Sequence, residues 1–182
     1  MPHPVAGQPA RLEMELAVPK SPDAASATVE LQFRGEFEMC FPLSVLVAQE
    51  GEVEVTEEML TGQPTMRVSN GLLRFHVAST VGGNLIRLED ATGRSYLYDH
   101  FPEVKPYVFL SHHIGGVEPL AFWPQDDDPF EEPEVVAVEA IAEGLWRGVE
   151  ARWTVTHREK LRGQYYRVAY MVLPGCPLVR IR

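Results

Sequence analysis

Three turn signals separated by short apolar runs constrain this chain most. Asn70-Gly71 precedes Leu73-Arg74-Phe75-His76-Val77, Gly82-Gly83-Asn84 precedes Leu85-Ile86-Arg87-Leu88, and Asp90-Ala91-Thr92-Gly93 comes immediately after. Side chains on an extended strand point alternately to opposite faces, so a period of two marks a half-buried strand. Asn-Gly accepts the positive φ values that a tight hairpin needs. Successive strands joined by such turns predict a β-meander, and no helix-period segment of useful length interrupts the pattern. The expected class is therefore all-β.

The same reading extends in both directions. Residues 1–9 hold three prolines and no periodicity, and read as a loose arm. Leu12, Met14, Leu16 and Val18 alternate over residues 11–18, and Val29, Leu31 and Phe33 over residues 28–34. Residues 37–47 form a more continuous apolar run broken by Pro42, which cannot donate to a ladder and so suits an edge or a bulge. Glu50-Gly51-Glu52 reads as a hairpin turn before Val53 and Val55, residues 57–61 as one helical turn at most, and residues 65–69 as a short strand. Further strands are expected at residues 96–98, 107–110, 117–122, 135–142, 149–156, 165–173 and 178–181. A loop over residues 123–133 is kept irregular by its acids and prolines. Residues 10–66 read as a small β module or an N-terminal extension of the sandwich, and residues 67–182 as the sandwich itself. The strand pattern still running at Leu178-Val179-Arg180-Ile181 suggests a sandwich incomplete at its C-terminal end, or an edge strand open to a second chain.

Composition removes several function classes. A balance of 26 acidic against 16 basic residues gives a net charge of -10, which repels a phosphate backbone and argues against nucleic acid as a partner. No apolar run reaches transmembrane length, and the first residues lack the basic and apolar segments of a secretion signal, so a cytoplasmic location without a membrane partner is the default expectation. Cys40 and Cys176 are too few for a disulfide scaffold or a cysteine-rich metal site, and each lies in an apolar context where a thiol behaves as a small hydrophobe. A bridge between them is the other reading. Neither a cofactor nor a metal is expected.

The segment from residue 68 to 182 resembles the opening half of a galactose mutarotase-like domain. That is the supersandwich shared by aldose epimerases, the C-terminal parts of retaining α-mannosidases and several polysaccharide lyases. The resemblance rests on Ser69-Asn70-Gly71-Leu72-Leu73, the run from Gly82-Gly83-Asn84 to Leu88, the Gly93 turn, Gly115-Gly116-Val117-Glu118-Pro119 and the late strand pair. It implies an antiparallel, supersandwich-like β-sandwich whose Gly-Gly-x-x-Pro segment lies near a surface that meets saccharide hydroxyls. The motifs holding the epimerases' catalytic His and Glu have no match here, so no chemistry is carried over.

Four residues are the candidate saccharide contacts: His112, His113, Glu118 and Trp123. Imidazole titrates near neutrality and suits either hydroxyl recognition or proton transfer. Adjacent residues of a strand face opposite ways, however, so at most one of His112 and His113 can join a given pocket; the bland reading is one surface and one core-edge histidine. Glu118, and the Asp99-His100 pair, could set a carboxylate beside an imidazole or simply solvate hairpin ends. Trp123 offers a flat ring for a pyranose face, or a loop anchor. Of Trp146 and Trp153, on opposite strand parities, at least one should belong to the core. The acidic run Asp126-Asp127-Asp128 with Glu131 and Glu132 lacks a calcium-loop pattern and reads as a solvated loop. The rival to saccharide binding is a non-catalytic interaction or assembly module, a homo-oligomer included, that uses an exposed sheet edge.

Overall fold

The computed structural model describes residues 26–33, 39–46, 50–103, 105–107, 110–119, 136–156 and 161–182. Twelve strands are present among them. β1 (Ser26–Phe33) and β2 (Met39–Leu46) form a two-stranded hairpin. β3 (Glu54–Leu60), β4 (Gln63–Ser69), β5 (Leu73–Ala78) and β6 (Asn84–Asp90) form a meander in sequence order. β7 (Lys105–Tyr107) pairs with β8 (Leu110–His113). β9 (Ala137–Glu143), β10 (Trp146–Thr154), β11 (Tyr165–Val172) and β12 (Val179–Ile181) form a second four-stranded antiparallel sheet. The chain is all-β and sandwich-like. No α-helix occurs among the described residues, where helical geometry is limited to the 3-10 turn at Ser79–Val81 and to Leu161, so no helix there is long and apolar enough to cross a membrane.

Local expectations and structure part in six places. Tyr107 ends one strand and Leu110 begins its antiparallel partner, so residues 107–110 are not a single strand, and Val117 makes only an isolated bridge to Leu85, with Glu118 and Pro119 outside any strand. Residues 57–60 are strand, not a helical turn, because Thr61 (φ 49°) and Gly62 (φ 83°) close a tight turn that sets Leu60 opposite Gln63. Glu50-Gly51-Glu52 is a link and not a hairpin, since β2 pairs with β1 while β3 pairs with β4. Residues 96–98 leave the sheet: Asp90 accepts hydrogen bonds from the Thr92 hydroxyl and the Thr92 and Arg94 amides, winding the turn so that only Ser95 bridges back to Glu89. These donors, the Thr92 hydroxyl foremost, pull the Asp90 carboxyl down to about 2. Finally, neither Trp146 nor Trp153 is fully buried. Trp153 shares the parity of core residue Val149 but lies towards the end of the strand, stacked on Tyr166 at 5.4 Å, while Trp146 lies beneath the Arg180 guanidinium. The strand expected at residues 11–18 and the loop at 123–133 lie outside the described residues. β4 runs straight through positions 66 and 67, which places residues 54–66 in the same sheet as β5 and β6.

The two meanders face each other across one core. Val68, Phe75, Val77 and Leu85 from the first sheet meet Val149, Tyr170 and Val172 from the second, all essentially inaccessible. Gly83 lets the sheets approach, since a Cβ there would strike the Ala151 side chain. A register shift between His76 and Val77 leaves Ile86 as the extra residue of β6. Ile86 joins a smaller cluster with Ala78, Val81, Phe101 and Ile114, with Leu60 packed against it.

One polar residue ties the sheets together. Buried Asn70 accepts hydrogen bonds from the Leu72 and Leu73 amides at 3.1 and 2.8 Å, shaping the β4–β5 turn. Its Nδ2 donates to the Leu173 and Cys176 carbonyls at 2.8 Å each, in the turn between β11 and β12. Nearby Cys176 is a free buried thiol whose pKa burial raises, so it acts as packing. Tyr170 is the opposite case. Its hydroxyl approaches the Leu85 backbone, but Leu85 exchanges both its N–H and C=O with Val117, and the hydroxyl has no hydrogen-bond partner among the described residues.

Two stability changes of opposite sign are expected. Asn70→Ala removes four hydrogen bonds, two to buried carbonyls that are left with one backbone amide each and two from turn amides, for a loss of about 2–4 kcal/mol at roughly 1 kcal/mol per bond, read as a lower denaturation midpoint with unchanged m-value. Tyr170→Phe keeps the ring and removes a buried hydroxyl with no partner, so it should leave stability level or raise it by about 1 kcal/mol. A Tyr170→Phe protein clearly less stable than the parent would show that the hydroxyl is satisfied.

Candidate functional site

The Gly115-Gly116-Val117-Glu118 segment lies where three stretches of backbone cross. Gly116 N donates to the Tyr98 carbonyl at 3.0 Å and His100 N to the Ile114 carbonyl at 2.7 Å, while Val117 exchanges bonds of 3.1 and 2.8 Å with Leu85 on the open edge of β6. So close a crossing needs residues without side chains. A Cβ at Gly115 would meet the Tyr98 carbonyl and one at Gly116 the Leu85 carbonyl, and both glycines hold positive φ, 88° and 82°. Beneath the crossing, Phe101 and Ile114 anchor it to the smaller apolar cluster.

Glu118 is part of this arrangement through the backbone. Its Oε1 accepts from the Ile114 and Gly115 amides at 3.3 and 3.2 Å, pinning the glycine turn immediately after His113. The strand register sets His113 opposite Lys105 and His112 opposite Pro106. The side chains of His112 and His113 and the whole of Trp123 lie outside the described residues.

Three neighbours complete the surface. Tyr98 is 75% exposed, and its ring meets the His100 ring edge-on at 4.7 Å and 81°. Between them in sequence, Asp99 pairs with Arg87 Nη2 at 3.5 Å. Tyr96 lies two residues upstream, also exposed, with its hydroxyl donating to Asp90 and the Arg94 guanidinium 5.8 Å from its ring centre. Residue types alone mark Asp99-His100 as a carboxylate–imidazole pair but give Tyr96 and Tyr98 the pattern of strand residues. The signal for their exposure is the Asp90 turn, whose hydrogen bonds cannot be counted from residue types.

Chemically, this surface offers an aromatic face, an imidazole, a guanidinium and two carboxylates that already have partners. Asp99 is held by Arg87, and Glu118 by backbone amides. Carboxyl oxygens placed in this way have spare lone pairs that can accept hydrogen bonds from hydroxyls. Among the described residues no group of three or more His, Cys, Asp or Glu side chains could hold a metal ion.

Beside Arg87, across the same sheet face, lies a second histidine that strand alternation alone does not single out. β4, β5 and β6 align Arg67, His76 and Arg87 in one row. Arg67 pairs with Glu54 and Glu58, and Arg74 with Glu89, so the arginines are neutralised within the sheet. His76 is 3% exposed, with Nδ1 3.2 Å from the Thr65 hydroxyl oxygen. That hydroxyl gives its proton to the Glu58 carbonyl, so Nδ1 of His76 is the donor of the pair. Burial, with help from Arg87 and Arg74 and against Glu58 and Glu89, pushes the His76 pKa below its ordinary 6.5.

No family model and no curated protein matches the chain.

His76 yields a pH dependence with a definite sign. Its folded pKa is depressed, so the unfolded chain binds the extra proton in the window below 6.5, and stability falls as pH drops through that window. Melting temperature measured from pH 7.5 down to 5.5 should therefore decline more steeply for the parent than for His76→Gln, which cannot titrate. Parallel profiles would mean that His76 takes up its proton as readily folded as unfolded.

Proposed function

We propose that the chain is a carbohydrate-binding β-sandwich domain of the galactose mutarotase-like kind, and that saccharide meets it at the Tyr98–His100 surface beside the Gly115-Gly116 crossing. One observation carries this reading: a tyrosine ring 75% exposed and braced edge-on by an imidazole, above a packed glycine turn, with Asp99, Arg87 and Glu118 at its margin. The apolar face of a pyranose, lined by C–H groups, suits such a ring, while its hydroxyls suit charged and imidazole groups already ordered by other contacts. Ordered groups lose little freedom on binding, which favours recognition by a shallow surface. A net charge of -10 directs the choice towards neutral sugars and away from uronic acids or phosphorylated ones. His112 and His113 belong to the reading through β8, which runs directly into the crossing; Trp123 belongs to it as a residue type only, since it lies outside the described residues.

Titration with a panel of neutral and acidic monosaccharides, monitored by nuclear magnetic resonance, tests the proposal. The Tyr98 and His100 ring signals should shift with a neutral sugar. Tyr98→Ala should weaken binding about two- to twelvefold, the range expected for one aromatic contact of about 0.5–1.5 kcal/mol, while Tyr98→Phe retains it. Ring signals that stay unmoved across the whole panel would refute it.

A further inference from the structure

Of the edge strands whose side chains are described, only one is left open. The outer edge of β6 is covered by bridges to Val117 and Ser95. β3 carries three glutamates, Glu54, Glu57 and Glu58, of which Glu54 and Glu58 share the single Arg67, so the strand keeps an excess of negative charge, and β12 is three residues long and comes after Pro177. Charges, brevity and nearby proline are the usual protections of an edge. β9 has seven residues, Ala137-Val138-Glu139-Ala140-Ile141-Ala142-Glu143, paired with β10 without a register shift, and no proline or lysine. Five of them, Ala137, Glu139, Ala140, Ala142 and Glu143, are exposed. Among the described residues no strand pairs with its outer edge.

We infer that β9 is the contact between two copies of this chain, which pair antiparallel about a two-fold axis at Ala140 and join their second sheets into one continuous sheet. The strand's own charges select this occupant and this register. Val138 and Ala140 lie opposite Ala151 and Val149 on the core side, whereas Glu139 and Ile141 lie opposite Glu150 and Gly148 on the other. A slip by one residue would set the core side of one copy against the other side of its twin. Centring on Glu139 opposes Glu139 to itself, and centring on Ile141 opposes Glu139 to Glu143. Centring on Ala140 sets Glu139 against Ile141, Val138 against Ala142 and Glu143 against Ala137, with the longest overlap and no carboxylate opposite another. The two acids are also neutralised within their own sheet. Glu139 pairs with Arg152 at 3.4 Å, and Glu143 pairs with Arg180 and Arg182 at 3.4 and 2.8 Å. The alanines let the strands approach closely.

This inference is independent of saccharide binding, because β9 shares no residue with the Tyr98 surface. Sedimentation velocity of the full chain over a wide concentration range should show a monomer–dimer equilibrium. Ala140→Lys opposes two ammonium groups at the axis and should abolish the dimer without changing the circular dichroism spectrum. Ala140→Cys should form a disulfide-linked dimer on mild oxidation, absent from the oxidised parent, because directly opposed Cβ atoms there come within bridging distance. A parent that stays monomeric, a dimer indifferent to Ala140→Lys, or an oxidised Ala140→Cys chain without the cross-link would each overturn it.

Discussion

The sandwich depends on two meanders burying one apolar face each, and on Asn70 fixing how those faces meet. Burial of Val68, Phe75, Val77, Leu85, Val149, Tyr170 and Val172 supplies most of the driving force, at about 1.5–3 kcal/mol for each large side chain removed from water. That force is non-directional and would accept many relative placements of two sheets. Asn70 is directional. It shapes one sheet's hairpin with its carbonyl oxygen and grips the other sheet's final turn with its amide, across a sequence separation of more than a hundred residues. Gly83 contributes a second constraint, since the sheets touch where it passes Ala151. Together they convert a hydrophobic contact into a defined one.

Tight crossing then determines what the surface can do. Gly115 and Gly116 let three backbone stretches hydrogen-bond to one another, and the charged residues of the region brace the crossing. Glu118 is spent on the turn amides and Asp99 on Arg87. The same contacts that order the surface fix its carboxyl groups in place, which suits it to recognition. Tyr98 is left projecting because residues 96–98 leave the sheet after the Asp90 turn instead of extending the meander.

Charge is managed locally on both sheets in spite of the acidic whole. On the first, Arg67, Arg74 and Arg87 alternate with Glu54, Glu58, Glu89 and Asp99, and His76 is held neutral among them by burial. On the second, the buried Glu150 carboxylate accepts a hydrogen bond from Arg152 and forms an ion pair with Arg167 at 3.2 Å, with Arg182 at 4.0 Å. A buried carboxylate is tolerated only with partners of this kind. The consequence for β9 is that its acids have arginines to answer to, which removes the repulsion that usually guards an edge.

Local pattern was enough for the class and for the strands around Asn70-Gly71 and in the late sheet. Alternation at Leu73-Arg74-Phe75-His76-Val77, the Asn70-Gly71 turn and the long late strands need only neighbours in the chain to be legible, because strand parity and turn φ values are local properties. Asn70 was legible as a turn residue but not as the tie between sheets, since its Nδ2 partners lie at Leu173 and Cys176. Glu118 could be named, but whether it would serve a ligand or the Gly115 turn depended on a fold-back of the chain. Trp146 and Trp153 were misjudged for a related reason: parity gives the face of a strand, whereas burial depends on how far the opposing sheet reaches. Packing of the whole chain was needed to show which edges stay open, that His76 is buried while Tyr98 projects, and that Leu85 spends its backbone on Val117. Each of these is set by contacts between residues distant in sequence, whose geometry no local pattern encodes.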